Sequence, residues 1–266
     1  MAIEETAPVV HRPRSQSATS LRIAGLTPLS TVDWPGKLAA TVFLQGCSWD
    51  CFFCSNTELQ DPRIRGELSW HEVVAFARSR RGLLDAFVFS GGEPTMQRGL
   101  LEAMVATRAL GFKIGLHTCG AFPTLLKCVL PYVDWVGIDI KSLRPEYVAV
   151  TGREKSDNAA WRSLEMILAE VEARYDDPMA RPLDYEVRTT VHPGVMDGEY
   201  LASLADSIAD AGVKNYAVQD FRSEGVRDPM PRRGFLHEAD YAAVGTADVS
   251  RIHTDRFESF VHRVQQ

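Results

Sequence analysis

Three cysteines, Cys47, Cys51 and Cys54, fall within the run Gln45-Gly46-Cys47-Ser48-Trp49-Asp50-Cys51-Phe52-Phe53-Cys54, a CxxxCxxC. Three thiolates on one tight loop can hold three corners of a cubane four-iron, four-sulfur cluster, because soft sulfur ligands suit such clusters and the metal itself deprotonates them. The fourth iron is then left without a protein ligand and stays open to a small chelating molecule. The competing reading is a zinc knot, which wants four closed ligands. His71 is the nearest candidate for the fourth, and nothing around it completes a familiar spacing. Cys119 and Cys128 read as small buried residues, and no second cysteine run supports a ferredoxin-type cluster.

A second group of residues sits where strands are predicted to end. Asp85-Ala86-Phe87-Val88-Phe89-Ser90 runs into Gly91-Gly92-Glu93-Pro94, and paired glycines at a strand terminus admit close ligand approach. Further along come His117-Thr118-Cys119-Gly120, Asp139-Ile140-Lys141, Arg188 ahead of His192-Pro193-Gly194, and Gln219. Asp139 and Lys141, two apart on a strand, share a face and could neutralise one another. His192 stands as a candidate site residue only, a lone His before a proline being more often a loop or core residue than a catalyst.

These groups need a scaffold that brings strand ends together. Short apolar runs at Ala40 to Leu44, Ala86 to Ser90, Lys113 to Thr118, Val133 to Ile140, Tyr185 to Val191 and Tyr216 to Gln219 alternate with helical patterns at Trp70 to Arg80, Gln97 to Leu110, Ala160 to Arg174 and Tyr200 to Ala211. Repeated βα units of this kind predict an α/β fold, a partial (β/α)6 TIM-like barrel with a lateral opening and its site at the C-terminal strand ends. A doubly wound open sheet shares the same alternation. Residues 1–20, rich in Ser, Thr, Pro and Arg, are predicted to be a tail outside the fold; 21–227 form the barrel; and 228–266 form a C-terminal extension ending in a helix over Asp255 to Val264 that packs on it.

Composition narrows the function classes. The 266 residues, 45% hydrophobic and 24% charged with a formal net charge of −6, describe an ordinary globular chain without the cationic surface that nucleic acid requires. No apolar run is long enough to span a membrane and no signal peptide is evident, so neither membrane nor secretion is expected. Five cysteines, three of them clustered, argue for metal binding in a reducing cytoplasm over a disulfide framework.

The CxxxCxxC after the first predicted strand resembles the radical S-adenosylmethionine (SAM) superfamily, and Gly91-Gly92-Glu93 resembles the segment that binds the methionyl amino group of SAM in that family. The resemblance implies a 4Fe-4S cluster on Cys47, Cys51 and Cys54, with Phe53 near adenine, Thr118 near the ribose, Asp139 and Lys141 near the sulfonium and carboxylate end, and Arg188 pairing with the SAM carboxylate. The approach segment Gly25-Leu26-Thr27-Pro28-Leu29-Ser30-Thr31-Val32-Asp33-Trp34-Pro35-Gly36-Lys37 looks like that of activating proteins of anaerobic ribonucleoside-triphosphate reductase. Such a protein cleaves SAM reductively to methionine and a 5′-deoxyadenosyl radical, takes a hydrogen from a glycine Cα of the partner reductase, and receives its electron from a flavodoxin- or ferredoxin-type donor. Other outcomes of the same chemistry are modification of another protein or of a small molecule; a noncatalytic metal-binding module is the alternative outside it. Two positions depart from the related activases: His117 stands where some have Asp, and Cys119 where Asn is common.

Overall fold

A computed structural model describes residues 17–227, 240, 243 and 245–264. Its centre is one eight-stranded sheet whose strands follow one another in sequence order. Strand β1 (Ile23–Ser30) pairs antiparallel with β2 (Ala39–Leu44). Strands β3 (Ala86–Gly91), β4 (Lys113–Thr118), β5 (Trp135–Asp139), β6 (Asp184–Val191), β7 (Asn215–Asp220) and β8 (Ser259–Arg263) then add in parallel. β1 and β8 do not pair, so the barrel is partial and open on one side.

Helices α1 (Trp70–Ser79), α2 (Leu100–Ala109), α3 (Pro123–Val129), α4 (Tyr147–Thr151), α5 (Ser156–Asp176) and α6 (Gly198–Asp210) fill the crossovers. Local chemistry starts two of them. Ser69 and Glu72 form a reciprocal capping box at α1, and Asp197 caps α6 through the Tyr200 N–H. Alternate strand residues face opposite ways. Ala40, Val42, Phe87, Phe89, Ile114 and Leu116 join the large core under the helices, whereas Ala39, Ala86, Val88 and Trp135 meet Trp34 in a small second cluster inside the barrel.

Trp34 comes from the β1–β2 hairpin and stacks on Trp135 with ring centroids 5.7 Å apart. Gly115 makes room for it, since a Cβ there would stand 3.0 Å from the Trp34 ring and 2.9 Å from Val88. The hairpin therefore plugs the barrel beneath the strand ends that carry the site.

Three expectations are corrected. The edge strand β1, with Pro28 in it and mixed burial along its length, lacks the alternation that would announce a strand. Residues 17–20 belong to the fold rather than to a tail: Ala18–Ser20 is a 3-10 turn, and Ala18 and Leu21 are buried in the main core; residues 1–16 lie outside the described residues. The predicted helix over Asp255 to Val264 is a 3-10 turn (Thr254–Arg256) followed by β8, which continues the sheet beyond residue 228. The i, i+3 spacing of Phe257 and Phe260 imitates a helix. Both rings instead pack on Tyr216 of β7, at 5.1 and 5.9 Å between centroids, while the backbone of β8 pairs with that strand.

Truncation of Trp34, which is 4% exposed, removes the larger part of the plug. Trp34→Ala is expected to cost about 3–5 kcal/mol, read as a lower urea midpoint at unchanged slope; an unchanged midpoint would mean that the hairpin does not stabilise the barrel.

Candidate active site

The cysteine loop leaves β2 and is pinned from several sides. Gly46 and Cys47 donate their N–H groups to Leu59 O and Gln60 O at 2.8 and 2.9 Å, and Asp50 N and Phe52 N bond to Thr151 O and Val150 O at the end of α4. Gln45 Nε2 spans the returning chain, bonding Glu58 O and Asp61 O. On the outer face Arg153 Nε donates to Ser48 O, and Arg227 donates to Asp50 and Gln60. A loop tied at this many backbone points holds its thiols in place before any metal arrives.

Cys47, Cys51 and Cys54 all line one cavity of about 1270 Å³. Burial pushes the Cys51 thiol up to about 12 and raises that of Cys54, so neither ionises at neutral pH without a strong electrophile. Iron supplies one. Among the described residues no three His, Cys, Asp or Glu side chains converge on one metal-ion position, and His71 is exposed on the first turn of α1. Separated thiols on one loop suit a cluster, in which each thiolate would bind a different iron and the sulfurs need not meet at a point.

The other predicted residues fall on the same cavity with one exception. Phe53 lines it, its ring edge-on to Phe52 at 4.8 Å. Gly91 and Gly92 also line it, and both sit against backbone: a Cβ would stand 2.2 Å from Leu44 O and 2.3 Å from Gly46 O respectively. Thr118, Asp139, Lys141 and Arg188 complete the wall. The exception is Glu93, which is fully buried and turned away from the cavity lining. Its Oε1 accepts from Thr95 N and Thr95 Oγ1, its Oε2 from Cys119 N at 2.8 Å, and both oxygens from Thr118 Oγ1 at 2.9 Å. Glu93 is thus a brace between the glycine turn and β4, and it is the Gly91-Gly92 backbone that faces the cavity.

Asp139 lies between two cations, with Lys141 Nζ at 3.1 Å and the Arg188 guanidinium at 3.0 Å. Burial alone would raise its carboxyl, but Lys141 and Arg188 outweigh burial and hold it near about 2. The same partnership raises Lys141 well above its ordinary value against burial. The Arg188 guanidinium is engaged with Asp139 through Nε and Nη2, and its Nη1 lies against Gly137, where a Cβ would stand 3.1 Å from it.

Sequence reading left His117, His192 and Gln219 unassigned. His117 and Gln219 line the cavity. His117 Nε2 lies 2.7 Å from the Asp33 carbonyl of the plug, which can only accept, so Nε2 carries the proton and Nδ1 accepts from Ser90 Oγ at 3.1 Å. His192 is buried between Phe52 and Phe221 and is a core residue. Several cavity residues escaped sequence reading as site residues, Cys119 and Arg263 among them. Cys119 lines the cavity beside the motif cysteines. Arg263 of β8 lines it as well, paired bidentately with Glu186 at 2.8 and 2.7 Å across β7. The available signal for Arg263 was a five-residue edge strand that periodicity could not separate from a helix.

The radical SAM superfamily profile matches residues 41–199. A Methanocaldococcus jannaschii protein named as a candidate glycyl-radical enzyme activating enzyme is 30% identical over 81% of this chain and 89% of its own length. A pyruvate formate-lyase-activating enzyme of Streptococcus mutans is 24% identical over 88% of this chain and 91% of its length. A crystal structure of Streptococcus suis SuiB superposes with a TM-score of 0.54 at 12% identity, covering 84% of this chain and 47% of SuiB, a likeness of fold alone.

The neutral state of His117 gives this wall a pH signature. Burial, followed by the Arg188 charge, lowers its value from 6.5 to about 4. Below 6.5 the unfolded chain therefore binds a proton that the folded chain refuses, and stability present at neutral pH is lost as pH falls toward 4. His117→Gln is expected to flatten the fall of the urea midpoint between pH 6.5 and 4; parallel pH profiles for the two proteins would contradict the assignment.

Proposed function

Because the chain belongs to the radical SAM superfamily and, within it, to the glycyl-radical enzyme activating enzymes, we propose that it activates anaerobic ribonucleoside-triphosphate reductase by generating a glycyl radical on it. The observation that carries this reading is one cavity that gathers the three motif cysteines, the glycine turn and the Asp139-Lys141-Arg188 cluster, and that also reaches both open edges of the sheet, at Thr31 and Val32 on one side and Val264 on the other. Cys47, Cys51 and Cys54 would hold a 4Fe-4S cluster and leave one iron for SAM. That pair supplies, when bound and reduced by one electron, the cleavage of SAM to methionine and a 5′-deoxyadenosyl radical that takes a glycine hydrogen.

The chain's own residues bind, orient and exclude. Gly91 and Gly92 bring backbone to the methionyl amino group, and Arg188 with Lys141 receives the carboxylate, a planar guanidinium being suited to that anion. Asp139 stays ionised between its two cations and offsets the sulfonium charge. Phe53 packs the adenine end, and Thr118 stands toward the ribose. Below them the Trp34–Trp135 stack excludes water from a site whose radical would attack whatever it met first.

A protein substrate fits the mouth. Val32 is 78% exposed at the hairpin tip and Val264 is 51% exposed after β8, so apolar side chains flank an opening bounded by two unpaired strand edges. The Gly25 to Lys37 approach segment favours the reductase as target. Likeness to pyruvate formate-lyase-activating enzymes supports a second reading, another glycyl-radical enzyme as substrate. A flavodoxin- or ferredoxin-type protein would supply the electron.

Anaerobic incubation of the reconstituted protein with the reductase, SAM and a strong reductant should produce a glycyl-radical signal by electron paramagnetic resonance. Cys47→Ala, Cys51→Ala and Cys54→Ala should each abolish both the signal and 5′-deoxyadenosine release. A signal on pyruvate formate-lyase and none on the reductase would favour the second reading, and absence of 5′-deoxyadenosine would reject both.

A further inference from the structure

The stretch of cavity wall nearest the β8 edge carries polar side chains that the SAM reading does not use. Thr190 on β6, Gln219 on β7 and Arg263 on β8 are register partners on neighbouring strands, and all three line the cavity. They form one row across the inward face of the sheet. The row begins two residues beyond Arg188 on β6 and ends next to Val264 at the rim.

The charge of this row is closed off internally. Both terminal nitrogens of Arg263 are held by the Glu186 carboxylate, at 2.8 and 2.7 Å, so the row offers hydrogen bonds without a net charge. Gln219 and Thr190 are partly buried. Among the described residues, neither the Gln219 carboxamide nor the Thr190 hydroxyl has a hydrogen-bond partner. A carboxamide presents an acceptor oxygen and two donor hydrogens side by side, the complement of a peptide group. A charged metabolite finds no free counter-ion on this wall. The peptide groups flanking a glycine are neutral, and they need hydrogen-bond partners once water is displaced from around them.

We propose that Gln219 is a substrate-positioning residue that hydrogen-bonds the peptide backbone beside the substrate glycine and aims its Cα–H at the adenosyl radical. The inference rests on the glycyl-radical reading and names what this wall receives, the backbone of the protein substrate rather than its side chains. In the step served, one hydrogen atom leaves the glycine Cα and bonds to C5′ of the 5′-deoxyadenosyl radical. The products are 5′-deoxyadenosine and the glycyl radical, with no further electron or proton required.

The test uses the full chain, reconstituted anaerobically, and has two readouts. A fluorescein-labelled peptide spanning the radical glycine of the reductase, or of pyruvate formate-lyase where that is the enzyme activated, is titrated with protein and SAM without reductant and followed by anisotropy. Gln219→Ala should weaken its binding about tenfold, as expected when a buried hydrogen-bonding group loses its partner. Gln219→Met, which restores bulk without hydrogen bonding, should weaken it equally. With reductant and a substrate enzyme deuterated at the glycine Cα, the deuterium recovered in 5′-deoxyadenosine and the glycyl radicals formed per 5′-deoxyadenosine should both fall on the order of tenfold in these variants, because a misplaced glycine yields the radical to other donors. A methionine variant that matches wild type while the alanine variant falls makes Gln219 a space-filler and overturns the proposal. Wild-type binding and label transfer in both variants overturn it as well and leave the glycyl-radical reading standing. Wild-type protein that releases 5′-deoxyadenosine but forms no glycyl radical on either enzyme overturns that reading and this inference with it.

Discussion

The arrangement of the site depends on one buried carboxylate. Glu93 is fully buried, and an isolated charge in that position would cost on the order of tens of kcal/mol before relaxation. Donors from its own turn and from β4 converge on both of its oxygens, so it can remain there only while those strand ends stay together. Its N–H meanwhile bonds to Gly46 O at 2.9 Å, and Gly92 N bonds to Leu44 O. Three consecutive strands, β2, β3 and β4, are thereby clamped at their C-terminal ends, immediately below the cysteine loop. The glycines are a consequence of that clamp, since no side chain fits where the turn crosses the end of β2.

The far wall obeys a different constraint. Asp139, Lys141 and Arg188 carry a net positive charge in a partly buried place, and that excess is useful only beside anions. Lys141 acts on Cys51 and Cys54 as well as on Asp139, so its ammonium pairs with a carboxylate on one side and favours ionisation of the cysteine sulfurs on the other. A neutral His117 next to this cluster avoids adding a further cation. Its fixed tautomer instead joins Ser90, at the end of β3, to the Asp33 carbonyl of the plug. The floor of the cavity and the strand ends that carry its glycine turn are therefore mechanically connected.

Much of this was legible in the sequence, and the reasons differ between elements. The cysteine spacing is chemistry written in consecutive residues, and the six strands from β2 to β7 announce themselves as apolar runs between helical periods. β1 and β8 are less visible because each is an edge: β1 holds a proline and exposes part of its length, and β8 has five residues whose aromatic neighbours fall at helical spacing. Single-residue roles were harder still. Glu93 sits in a motif that suggests ligand contact, yet its side chain braces the glycine turn whose backbone lines the cavity. Cys119 read as a small buried residue, which its burial supports; only the fold places it on the cavity that the motif cysteines line. No local pattern could pair Arg263 with Glu186, because 77 residues separate them.

The open side of the barrel raises a tension that the Arg263–Glu186 pair helps to resolve. A protein substrate needs a wide entrance, whereas a radical intermediate needs a dry interior. Full closure would remove the unpaired edges of β1 and β8 but admit only small molecules. Here the two edges stay apart at the rim, while deeper in the barrel the Trp34–Trp135 stack and the cross-strand guanidinium-carboxylate pair occupy the interior. At the rim the exposed Val32 and Val264 stand beside charged neighbours, Asp33 and Arg263, that also line the cavity. A protein segment, as the proposed substrate, would enter between these edges and add to the exclusion of water that the stack begins.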